Sequence, residues 1–73
     1  MKRTFTAFLE YDDETKLYVG MIPNVPGAHT QAENLDELQR NLREVLELCL
    51  EENPEIANDT LHFIGTQQVE VVL

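Results

Sequence analysis

The stretch NLDELQRNLREVLELCLEENP, residues 34–54, decides the fold. Its apolar side chains recur at helical spacing, with Leu35, Leu38, Leu42, Val45, Leu46, Cys49 and Leu50 on one stripe. Asp36, Arg40, Arg43, Glu44, Glu47 and Glu51 form the opposite face, where Asp36 and Arg40 are spaced for an i,i+4 pair. Leu48 falls outside the stripe, toward the acids. Asn34 supplies the start: its side-chain oxygen accepts from a first-turn amide, while Glu37 reaches back as in a capping box. Asp36 and Glu37 suit the positive end of the helix dipole. Asn53-Pro54 supplies the stop, because the residue before a proline avoids the α region. No other stretch has this period, so a single amphipathic helix must find its apolar partner in a sheet.

Outward from the helix, toward the N-terminus, the period falls to two. Arg3 to Tyr11 places Phe5, Ala7, Leu9 and Tyr11 on one face and Thr4, Thr6, Phe8 and Glu10 on the other, as a strand does. Asp12 to Lys16 is a polar turn into a second strand, Leu17 to Ile22. Pro23-Asn24-Val25-Pro26-Gly27 interrupts the sheet, since prolines remove ladder donors, and a third strand follows at Ala28 to Glu33. Beyond the helix, Glu55 to Thr60 reads as a loop and Leu61 to Ile64 as a short extended piece. Gln67 to Leu73 reads as a last strand, with Val69, Val71 and Leu73 alternating with Gln68, Glu70 and Val72. The order β-β-β-α-β defines one α+β domain over residues 1–73, a two-layer, mostly antiparallel sheet with one helix on one face.

A single helix covers a single face. With Phe5, Leu9, Val19, Met21, Val69 and Val71 assigned beneath it, the far face carries Phe8, Tyr18, Ile22 and Val72. That set is too apolar to stay wet, which predicts a homo-oligomer formed through those four residues or through edge-to-edge pairing of the last strand.

The bulk properties point the same way. The chain has 73 residues, and a domain of that size buries only about 60% of the surface its unfolded chain exposes. Its lone cysteine, Cys49, closes no intrachain disulfide, which leaves self-association as the stabilising device and fits a reducing compartment. The basic start Met1-Lys2-Arg3 lacks an apolar region behind it, and no apolar run approaches the ~20 residues of a membrane span. A cytoplasmic location is expected. Fourteen acidic against five basic side chains give a formal charge of −9, which repels nucleic acid and either attracts a basic protein or simply keeps a small domain soluble.

Catalytic chemistry finds little support. His29, His62 and Cys49 have no metal-ligand spacing, and Cys49 on a leucine stripe reads as a small hydrophobe. Glu10, Asp12 and Asp13 would be the acids of a metal-dependent nuclease, but a flexible turn orients two metal ions poorly. No phosphate loop or nucleophile motif is present. The expectation is a binding protein, not an enzyme, without metal or cofactor.

From Tyr18 to Leu38, through Tyr18-Val19-Gly20-Met21-Ile22-Pro23-Asn24-Val25-Pro26-Gly27 and the capped helix start Asn34-Leu35-Asp36-Glu37-Leu38, the chain resembles the HicB family of antitoxins. Ala28 and Ala32 stand where that family usually has cysteine and glycine. The resemblance implies a degenerate ribonuclease-H-like unit that masks a small basic ribonuclease toxin of the HicA type. The family's DNA-binding segment has no counterpart in these residues. On that reading the toxin-facing acids are Glu44, Glu47 and Glu51 on the helix and Asp12, Asp13 and Glu14 in the hairpin turn. The other reading of the same fold is an orphan oligomeric module with no toxin.

Overall fold

The computed structural model describes residues 3–58 and 64–73, apart from the side chains of residues 57 and 58. Strands β1 (Phe8–Asp12), β2 (Leu17–Met21) and β3 (His29–Ala32) form an antiparallel sheet in the order β1-β2-β3. Helix α1 (Leu35–Glu52) follows, then a short 3₁₀ helix at Pro54–Asn58. The expected α+β architecture, a sheet with one helix over one face, is the one observed.

The helix begins as its sequence dictates. Asn34 is extended, and its side-chain oxygen accepts from the Glu37 amide at 2.8 Å. At the other end the Asn53 amide donates to the Cys49 carbonyl at 2.9 Å, and Pro54 ends the α-helix. Between them Leu38 and Leu42 are buried, and Val45, Leu46, Cys49 and Leu50 are half-buried. Leu35, in the first turn, is exposed, and so is Leu48. The helix lies over β3 and β2 and does not reach β1.

Two small apolar clusters hold the layers together. Ala32, Leu38 and Leu42 pack with Ala7 and Tyr18 near the helix start. Ile22, Val25 and Ala28 pack with Phe5, Ala7, Leu46, Cys49 and Ile56 near its end. Val25 comes from the proline loop and is only 2% exposed. The loop turns it inward through bonds from the Val25 amide to the Ile22 carbonyl and from the Ala28 amide to the Val25 carbonyl. Gly27 completes the turn at φ 86°, a conformation that side chains disfavour.

The register overturns the face assignment of β2. Tyr11 stands opposite Tyr18 and Leu9 opposite Gly20, so odd residues of β1 share a face with even residues of β2. Alternation in the sequence alone pairs the odd residues of both strands on one face. The cause is the hairpin loop, Asp13 to Lys16, whose even length between the paired Asp12 and Leu17 flips the parity. The Asp12 carboxylate accepts from the Glu14 and Thr15 amides, and the Lys16 amide closes the turn on the Asp12 carbonyl with Lys16 at φ 63°. Tyr18, Gly20 and Ile22 therefore face the helix, and Leu17, Val19 and Met21 face away.

Strand bounds shift as well: β1 starts at Phe8, not Arg3, and β3 spans four residues. The largest correction is at the C-terminal side. Residues 64–73 belong to no strand, and every side chain there is exposed, Val69 at 81% and Val71 at 68%. An isolated strand has no ladder partner, so alternation alone does not place it in the sheet. Of the extended piece expected at Leu61 to Ile64, residues 61–63 lie outside the described residues, and Ile64 is not in a strand.

Candidate functional site

The acids expected to meet a partner fall into two groups at opposite ends of the helix. Tyr18 pairs with Ala32 just before α1 begins, which sets the β1–β2 turn beside the start of the helix. At the other end the Cys49 thiol lies 3.7 Å from the Pro26 carbonyl oxygen, and Leu46 packs with Ile22 and Val25. A helix rises about 1.5 Å per residue, so Glu44 to Glu51 lie roughly 14–24 Å along the axis from Leu35. Asp12, Asp13 and Glu14 do not join Glu44, Glu47 and Glu51 in one surface. Asp12 is also committed to its own turn, where it accepts two backbone amides. Asp13 and Glu14 are exposed at the tip.

The helix group is the better-formed site. Glu44, Glu47 and Glu51 line an open depression of about 600 Å³ together with Leu48 and Leu50. Residues 44, 47, 48 and 51 are neighbours on a helix at i, i+3, i+4 and i+7, which puts Leu48 among three carboxylates. Leu48 is 59% exposed, an apolar centre within an acidic rim. The sequence places Leu48 off the core stripe; its membership of the site follows from the depression. Such a surface suits a basic partner that brings an apolar or amphipathic side chain, since Lys and Arg lay their methylene stems on apolar surface while the charged head meets carboxylates.

The residues expected to drive self-association are scattered. Phe8 lies on the far face, opposite Met21, at 38% exposure. Tyr18 lies on the helix face, its ring 4.9 Å from that of Tyr11, and packs on the Ala32, Leu38 and Leu42 cluster. Ile22 is in the core at 6% exposure. Val72 is exposed in the segment outside the sheet. The far face carries Leu17, Val19 and Met21 where Tyr18 and Ile22 were expected, because of the reversed parity. That face remains apolar, with Met21 44% exposed and Leu17 and Val19 half-buried.

Among the described residues no group of three or more His, Cys, Asp or Glu side chains is arranged to hold a metal ion. His29 is exposed on the far face beside Met21, and His62 lies outside the described residues. Cys49 is a half-buried free thiol against the proline loop. No helix among the described residues is long and apolar enough to cross a membrane.

These features define a small α+β domain with an acid-rimmed helix face. Residues 4–72 match the family model described as Domain of unknown function (DUF1902), and the chain belongs to that family. It is similar to a UPF0150 protein of Thermotoga maritima, 49% identical over 71 residues, covering 97% of this chain and 93% of the relative. A UPF0150 protein of Synechocystis is 41% identical over 70 residues, covering 96% and 97%. One from Archaeoglobus fulgidus is 46% identical over 59 residues, covering 81% and 83%. No solved structure matches the chain.

Proposed function

We propose that this protein is a non-enzymatic, antitoxin-like binding domain that masks a small basic ribonuclease with the C-terminal half of α1. The observation that carries the reading is the exposed Leu48 set among Glu44, Glu47 and Glu51 in one depression. The formal charge of −9 adds long-range attraction for a basic partner and repels its RNA substrate. The resemblance of residues 18–38 to the HicB antitoxins supplies the partner's class. The domain acts in the cytoplasm as a homo-oligomer, needs no metal or cofactor, and contacts neither nucleic acid nor membrane.

The test is inhibition of RNA cleavage by a purified basic ribonuclease of the HicA type. The expected result is stoichiometric inhibition that weakens as salt rises, because exposed charges are screened within about 10 Å at 0.1 M. Glu44→Lys with Glu47→Lys slows association more than it speeds dissociation, and Leu48→Ala speeds dissociation. Undiminished cleavage at micromolar excess of the folded domain overturns the reading.

A further inference from the structure

We infer that two copies of this chain associate through residues 69–73, paired antiparallel with Val71 on the two-fold axis. The inference rests on the homo-oligomer part of the reading above and specifies its contact. The acids Glu44, Glu47 and Glu51 take no part in it.

Residues 64–73 are where the described molecule leaves most apolar surface open. Ile64, Val69, Val71, Val72 and Leu73 all stand in solvent, Val72 at 95% exposure. No backbone hydrogen bond joins this segment to another described residue, and a side chain at Gly65 would meet nothing within 4 Å. The chain is long for its size, with a radius of gyration of 14.1 Å against about 11 Å for a compact chain of this length. Yet the composition is that of a strand. Residues 67–73 hold three valines and neither glycine nor proline. A strand with no neighbour presents a full row of ladder donors and acceptors to any chain that can match it.

Charge selects a second copy, meeting through this same segment. Each chain carries a formal charge of −9, and of its fourteen acidic side chains only Glu70 lies within residues 64–73. Two such chains repel least where each presents this segment to the other.

The register follows from the side chains. A two-fold contact uses the same residues on both chains, so one residue must meet its own copy or the axis must fall between two residues. An axis between two residues puts Val69 and Val71 of one chain on the face of Gln68 and Glu70 of the other. An axis at Glu70 sets two carboxylates directly opposite, which destabilises a strand pair. An axis at Val69 leaves Val71 opposite Gln67 and Leu73 opposite Gly65. With the axis at Val71, Val69 meets Leu73 twice, Val71 meets itself, and each Glu70 stands opposite Val72. Every cross-strand pair on one face is then apolar, and the two carboxylates are kept apart.

Sedimentation of the full chain at micromolar concentration is expected to give twice the chain mass. Removal of residues 66–73, or Val71→Glu, which sets two carboxylates on the axis, gives single chain mass while the helical circular dichroism persists. Glu44→Lys leaves the double mass unchanged, which separates this contact from the ribonuclease surface. The register is read by oxidising single cysteines placed at positions 69 to 72 of a Cys49→Ala chain. Val71→Cys is expected to form the disulfide-linked dimer about tenfold faster than Val69→Cys or Glu70→Cys, because only there do the two Cβ atoms stand within bonding reach. Equal rates at all four positions mean parallel strands and overturn the inference, as does a fastest rate at Glu70→Cys. A dimer that survives loss of residues 66–73 overturns it while leaving the homo-oligomer reading in place. A full chain of single mass overturns both.

Discussion

The β2–β3–α1 portion of this molecule and the pair formed by β1 and residues 64–73 are written in the same sequence grammar, yet only the first is packed. Along β2 and β3 the alternating residues meet a helix: Ile22, just after β2, and Ala32 are buried at 6% and 4% exposure. In β1 the equivalent Leu9 and Tyr11 are about half exposed, and in segment 64–73 Val69 and Val71 are open. Alternation makes a segment able to be a strand. Whether it becomes buried depends on what lies across from it, and α1 is wide enough for two strands only. The difference marks how far the cover of one helix extends among the described residues.

Substitutions sharpen that contrast. The largest effect belongs to Leu38→Ala, the most deeply buried side chain at 1% exposure. It should cost about 2–5 kcal/mol in denaturant unfolding, a large share of what so small a domain has. Leu42→Ala should be of the same order, with a specific coupling. A Cβ added at Gly20 would lie 3.0 Å from Leu42 Cδ1, so Gly20→Ala should be tolerated better in the Leu42→Ala background than in the wild type. A double-mutant cycle measures this, and strict additivity would mean that the helix does not press on β2 there.

Asn34→Ala removes the acceptor of the Glu37 amide and should cost about 1 kcal/mol, with Asn34→Gly milder by some tenths. Gly27→Ala should cost roughly 1–2 kcal/mol through its left-handed backbone, since the added Cβ meets Cys49 Sγ at an ordinary 3.9 Å. The smallest effect is the most telling. At concentrations where the chain is monomeric, Val71→Thr should change stability by less than about 0.5 kcal/mol, as surface substitutions do. A loss beyond 1 kcal/mol would show that the segment packs within its own chain.

Much of this fold is legible in local sequence because its causes are local. The Asn34 cap, the Pro54 stop and the leucine stripe act within a few residues, and the helix stands where they put it. Val25 was less legible. A valine between two prolines reads as loop, and only the turn bonds to Ile22 and Ala28 make it a core residue. The face of β2 was misread because parity depends on the count between paired residues. A polar turn announces itself by composition but not by its pairing ends.

The candidate site divides in the same way. Glu44, Glu47 and Glu51 share a helix face by spacing alone, so the sequence joins them. Asp12, Asp13 and Glu14 were grouped with them by charge alone, and the chain path from Tyr18 through Ala32 to Leu35 separates the two. Leu48 enters the site because the depression includes it.

By itself, then, the sequence determined the helix and its limits, the existence of three strands ahead of it, the acidic character of the helix's outer face and the strand-like alternation of the last residues. All of these follow from period, capping and charge, which are properties of neighbours along the chain. Only the tertiary structure decided which face of β2 is core, that the two acidic groups lie apart, and that Leu9, Tyr11, Val69 and Val71 stand exposed. Those depend on register and on the width one helix can cover, quantities that exist only once distant segments are set side by side.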